Sequence, residues 1–172
     1  MGTRTKELCW AALLVAVGIL LPQVFHMIGG KTAGAVFLPM HLPVLAAGFL
    51  LGPAWGAAVA AVTPLLSFLA TAMPGAALLP FMLIELLAYG VISGLLRNRM
   101  NVYAALVATQ AAGRLVYALA LFVAGTLLHV TNMGPVSVWT AVVTGLPGIA
   151  VQLFLLPVIV LSVKKAASRH EG

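Results

Sequence analysis

Apolar residues fall along this chain in long blocks, and nearly all charged residues fall between them. The first block runs from Leu8 to Ile28, after Arg4 and Lys6, and the polar, glycine-rich stretch Gly29 to Gly34 follows it. A second block, Phe37 to Leu51, meets a third, Pro53 to Ala72, with only Gly52 between them. After Met73-Pro74-Gly75 the fourth covers Leu78 to Leu96 and ends against Arg97 and Arg99. The fifth extends from Val102 to His129, and a polar connection with Asn132 and Gly134 leads to the sixth, Val136 to Val163. Lys164, Lys165 and Arg169 follow. A helix rises about 1.5 Å per residue and a bilayer's hydrocarbon is about 30 Å thick, so a span needs about 20 apolar residues. The blocks therefore predict an all-α integral membrane bundle of six transmembrane helices in a single domain, residues 1–172. Pro39 and Pro43 suit the opening turn of the second helix, where N–H groups lack helical partners. Pro64 is expected to kink the third, and Gly145, Pro147 and Pro157 to break the sixth.

Composition agrees with the pattern. Hydrophobic residues make up 63% of the chain and charged residues 7%, against about 25% charged in a soluble domain. The net charge of +6 does not point to nucleic acid, because the basic residues cluster at segment ends as orientation signals do. Arg4, Lys6, Arg97, Arg99, Lys164, Lys165 and Arg169 share one side and Lys31 lies opposite, so both termini are expected in the cytoplasm. The N-terminal block lacks a convincing cleavage site and reads as a retained first span. Cys9 is the single cysteine, which excludes an intrachain disulfide, and it is expected to be a small buried apolar residue.

Two ionisable residues stand inside the blocks. Glu85 lies in the outer half of the fourth, and Arg114 lies near the middle of the fifth. Charges at bilayer depth cost about 2.5–3.5 kcal/mol each on insertion scales and normally face the bundle interior. They either tie two helices as an ion pair or mark a site. Gln110, Arg114 and Tyr117 share one helical face, and Glu85 and Tyr89 share another. These two polar stripes favour a cavity that binds a polar molecule. An arginine there can fork onto an acceptor with two parallel hydrogen bonds. His41, fixed between Pro39 and Pro43, is placed near the outer mouth of that cavity. His26, His129 and His170 read as interfacial or capping groups, and no metal-binding spacing occurs. With Glu85 the only intramembrane acid, no catalytic constellation can be assembled. No GxxxxGK[ST] motif is present, so the chain is not expected to hydrolyse ATP, and with one intramembrane acid and no metal cluster it is expected not to be an enzyme.

Small residues recur at four-residue spacing: Ala12 and Ala16, Gly48, Gly52 and Gly56, and Gly90 and Gly94. Such spacing lets helix backbones approach closely, and packing drives association in lipid.

Taken in order, Ala12 and Ala16, the phrase LPMHLPVLAAGFLLGPAWGAAVAAVTPLL, the Met-Pro turn, Glu85 and the AGRLVYAL stretch resemble the substrate-binding S components of energy-coupling factor (ECF) vitamin transporters. The resemblance covers essentially the full length. It implies a multi-pass subunit of a prokaryotic plasma membrane that captures a vitamin or vitamin precursor from outside. A transmembrane coupling subunit and two ABC-type ATPases would then drive import, with ATP used by those partners and no cofactor on this chain. It further implies that Ala12 and Ala16 contact the coupling subunit and that outer loops, here residues 29–36 and 73–77, close the pocket. A self-sufficient carrier or channel with Glu85 as its proton site is the alternative.

Overall fold

A computed structural model describes residues 3–127, 139–140 and 143–170. Its elements are α1 (Thr3–Phe37), α2 (His41–Leu51), α3 (Pro53–Thr71), α4 (Leu79–Leu96), α5 (Val102–Leu127) and α6 (Leu146–His170), with no strand among the described residues. The expected His129 to Pro135 connection and the first residues of the sixth block lie outside that range. Five helices (α1, α3, α4, α5 and α6) are long and apolar enough to cross a membrane. Their exteriors are apolar too: Ile28, Leu69, Leu115 and Phe154 are all at least 70% exposed. That surface suits lipid and would be costly in water.

The second block departs from expectation. Its helix, α2, has 11 residues, about 16 Å at the usual rise and short of the hydrocarbon thickness. It is also the most enclosed element, with His41 and every residue from Pro43 to Phe49 buried. Helices α1, α3, α4 and α6 surround it. A helix that is apolar all round belongs in such a place.

The stretch before α2 also differs from the expected loop. Helical conformation continues through residues 31–37, interrupted at Gly30 by φ 67° and ψ −166°. Glycine adopts that conformation without steric cost. The chain folds back there. Phe25 and Phe37 have ring centroids 5.1 Å apart, whereas twelve residues of straight helix would separate them by about 18 Å. Gly34 lies directly against the His26 ring. Leu38, at φ 48°, then turns the chain into α2.

The end of the bundle holding the Gly52 turn is closed by glycines. A Cβ on Gly56 would collide with the Gly90 carbonyl, and one on Gly90 with the Gly56 carbonyl. Gly48 meets Ser93 and the Gly90 backbone, and Gly94 meets Pro53. These residues bring α2, α3 and α4 to backbone contact, the closest approach helices can make in lipid. Arg97 completes this end by donating from Nη1 to the Leu50 carbonyl at 3.2 Å, satisfying a last-turn acceptor of α2.

The prolines inside α3 and α6 do not end those helices, whereas Gly145, expected to break the sixth block, is a turn immediately before α6. α3 runs through Pro64 and α6 runs through Pro157, each as one continuous helix. Neighbouring helices and local adjustment accommodate the lost hydrogen bond. Pro147 sits in the opening turn of α6, where no bond is lost. Cys9 is exposed on α1 rather than buried, because the apolar exterior of a membrane bundle accepts a thiol as readily as its core.

Gly90→Val places a side chain against backbone that cannot yield. The expected loss is about 1–3 kcal/mol, read as a lowered melting temperature of the detergent-purified protein. Gly75→Ala, where no atom lies within 4 Å of the new Cβ, should stay within about 0.5 kcal/mol of the original. Equal effects from the two changes would contradict the packing described.

Candidate functional site

Glu85 faces inward from α4 and is 3% exposed. The helical stagger of four residues brings Tyr89 beneath it, and the Tyr89 hydroxyl donates to Oε1 at 3.1 Å. Arg114, on α5, places Nη1 at 3.1 Å from the same oxygen. The first residue of α2 supplies the third partner: His41 Nε2 lies 3.6 Å from Oε2, within ion-pair range but beyond a hydrogen bond. Residues from α2, α4 and α5 thus meet on one carboxylate.

Packing fixes the tyrosine that links them. Its ring stands edge-on to His41, with centroids 5.2 Å apart and planes at 68°. On another side it lies against Gly113, where any Cβ would overlap the ring. Glycine at 113 therefore lets α5 come close enough for the next residue, Arg114, to reach Glu85. The guanidinium is not fully used: Arg114 Nε and Nη2 are buried and have no hydrogen-bond partner among the described residues.

Beside this cluster, at the end of the bundle opposite the Gly52 turn, lies a cavity of about 270 Å³. Its walls come from α1 (Pro22, His26), the Gly34 to His41 return, and the Ala72 to Met82 stretch at the α3–α4 junction. His41 is shared by cavity and cluster. It was expected at the mouth; at 2% exposure it is instead at the inner end, next to Glu85, one turn beyond Met82. His26, read from sequence as an interfacial group, also lines the cavity, with Nδ1 buried and unpartnered among the described residues.

The structure brings His41, Glu85, Tyr89 and Arg114 together. Gln110 shares their helix face but bonds elsewhere, donating from Nε2 to Gln152 Oε1 at 3.2 Å. Gln152 in turn donates to the Leu38 carbonyl at 3.3 Å. That relay fixes the turn preceding His41, so Gln110 supports the site without joining the cluster. Tyr117 lies on the turn after Arg114 and is half-buried. Sequence reasoning missed Gln152. A lone amide inside an apolar helix was the available signal, since such a group in lipid needs a partner across helices. Ala12 and Ala16 are both exposed on α1. Among the described residues no three His, Cys, Asp or Glu side chains gather closely enough to hold a metal ion.

Among the described residues of the site, the polar groups are arranged as an ion pair with a tyrosine and a histidine beside it. The site offers a small apolar chamber closed at one end by a buried, charge-balanced polar cluster, which suits reversible binding.

Removing one partner from such a pair leaves a buried charge uncompensated, at a cost of about 3–5 kcal/mol. Arg114→Met should therefore lower stability strongly, and adding Glu85→Gln should recover a large part of the loss. Thermal unfolding of the single and double variants checks this. A double variant that merely sums the two single losses would show that the groups are not coupled.

The family model for the substrate-specific component of ECF transporters matches residues 6–160. That span takes in the cluster, the cavity and the exposed alanines. No curated protein and no solved structure gives a significant match.

Proposed function

The chain belongs to the substrate-specific components of ECF transporters, and on that premise we infer that it captures a vitamin or vitamin precursor from outside the cell. It is a membrane transporter subunit and not an enzyme. The observation that carries the inference is the cavity around His41, which lies within the matched region and ends on the Glu85–Arg114 cluster. His41, Glu85, Arg114 and Tyr89 form the inner end of the binding site, with Gln110 and Tyr117 supporting it on α5.

In this reading the chain makes six membrane passages with both termini in the cytoplasm of a prokaryotic cell. The α2 passage is completed by the folded-back stretch before it, since α2 alone is too short. Basic Arg4, Lys6, Arg97, Arg99, Lys164 and Lys165 then lie on the cytoplasmic side, in keeping with the positive-inside rule. The cavity end faces outward, covered by the Gly30 fold-back and the 72–78 turn. Transport energy comes from ATP used by two ATPase subunits through a transmembrane coupling subunit. The exposed Ala12 and Ala16 suit close approach of a partner helix.

Ala12→Trp and Ala16→Trp should abolish co-purification with the coupling subunit and ATPases and cut ATP-dependent uptake at least tenfold. Binding of the small molecule should persist, because neither residue is near the cavity. Pull-down and uptake in proteoliposomes check both effects. Uptake by this chain alone, without the ATPases, would favour a self-sufficient carrier and contradict the reading.

A further inference from the structure

The cavity and the ionic cluster touch only through His41, and that separation bears on what the cavity can accept. On the cluster side, Glu85 is matched by Arg114, with Nη1 to Oε1 at 3.1 Å, so the pair carries no net formal charge. On the cavity side, the described side chains are proline, leucine, methionine, alanine and two histidines. Among them is no lysine, arginine, aspartate or glutamate. An anion in this chamber would lose its hydration with no counter-charge at contact, a penalty of several kcal/mol. A cation would meet only a carboxylate already engaged by Arg114.

The imidazole orientation adds a second constraint. His41 Nε2 faces the Glu85 carboxylate at 3.6 Å. That separation is too long for a hydrogen bond. Both ring nitrogens of His41 are buried without a hydrogen-bond partner among the described residues, and a neutral imidazole has one acceptor nitrogen in either tautomer. An unsatisfied acceptor at this depth is costly until something donates to it. His26 Nδ1, on the cavity's α1 wall, is buried and unpartnered as well.

The body of the chamber is apolar and adaptable. Met40, Met73 and Met82 supply flexible, polarizable contacts suited to the face or edge of a ring. Pro22, Pro39 and Pro74 add rigid walls. At about 270 Å³ the space lies just under the about 300–1,000 Å³ of drug-sized sites.

We propose that the ligand is a small, uncharged, ring-bearing molecule that donates an N–H or O–H hydrogen bond to His41 and packs its ring among the three methionines. None of the described side chains of the wall carries a fixed charge, which disfavours phosphorylated and carboxylated forms of such molecules. Glu85 and Arg114 lie behind His41, with Glu85 Oε2 3.6 Å from its Nε2, and are positioning residues. This rests on the reading of the chain as the substrate-capturing subunit.

The test uses the full chain, purified gently from cells in rich medium, with its retained small molecules extracted and identified by mass spectrometry. The co-purifying molecule is itself the probe. The expected result is a compound uncharged at pH 7 with a ring and at least one N–H or O–H donor. Its occupancy should fall at least tenfold in His41→Phe, which keeps a ring but removes the acceptor, and several-fold in the milder His26→Ala. Size-exclusion elution and melting temperature report whether each variant folds. If His41→Phe does not fold, the identity of the wild-type ligand and its loss from His26→Ala decide the matter. A retained phosphate ester or carboxylate, or wild-type occupancy in a folded His41→Phe, would overturn the proposal while leaving the substrate-capturing role intact. A wild-type chain that retains nothing would count against that role, and this proposal would fall with it.

Discussion

A single carboxylate organises this protein. Glu85 is buried between helices in a chain whose exterior is almost wholly apolar, and α2, α4 and α5 each contribute a residue to it. An ionised group at that depth is tolerated only where its partners replace the water it has lost. Arg114 supplies the opposite charge, Tyr89 a hydroxyl and His41 a facing ring nitrogen. Because three helices must arrive together for this to work, the cluster fixes their rotation as well as their proximity. Apolar packing alone would be more permissive, since lipid solvates apolar faces nearly as well as neighbouring helices do.

The two ends of the bundle solve different problems. Near the Gly52 turn, Gly48, Gly56, Gly90 and Gly94 bring three backbones into contact and leave no room for a side chain. Toward the other end lies the cavity, walled in part by the stretch that follows the fold-back at Gly30. The cluster lies at the boundary between these regions. It thereby closes the base of the cavity while remaining part of the rigid half, and His41 reports to both. Gln110 and Gln152 extend that rigidity to the turn at Leu38, where a positive φ sets the direction in which α2 begins. A cavity built this way is shaped by packing within the chain.

Much of this was legible in the sequence, for identifiable reasons. The composition and block lengths require a membrane solvent. Glu85 and Tyr89 stand four apart on an apolar helix, and their hydrogen bond follows from helix geometry. Glu85 and Arg114, as the two charges inside spans, had strong reason to face inward, and the structure pairs them directly. The paired glycines likewise predicted close packing. Other features left weaker traces. Gly29-Gly30 signals a break, but nothing in the residues after it distinguishes a loop from a short helix folding back along α1. That missed turn explains why the second span was read as longer than α2. Burial of Cys9 was inferred from a rule for soluble cores, and it fails where the exterior is apolar. His41 was placed at the mouth, but its depth depends on the fold-back, and the structure buries it beside Glu85. Gln110 was assigned by helical face alone. Its partner, Gln152, lies 42 residues away in sequence, and periodicity within one helix carries no information about such a pair.

The central claim is that the chamber ending on His41 is where this transporter subunit holds its substrate. The most direct measurement is a high-resolution structure of the chain in lipid nanodiscs with its co-purified ligand. The account predicts ligand density between the Leu38–His41 turn and the 72–78 turn, with a polar atom within about 3.2 Å of a His41 ring nitrogen. Glu85 and Arg114 should remain paired behind it. Ligand density elsewhere, with lipid or solvent in this chamber, would contradict it.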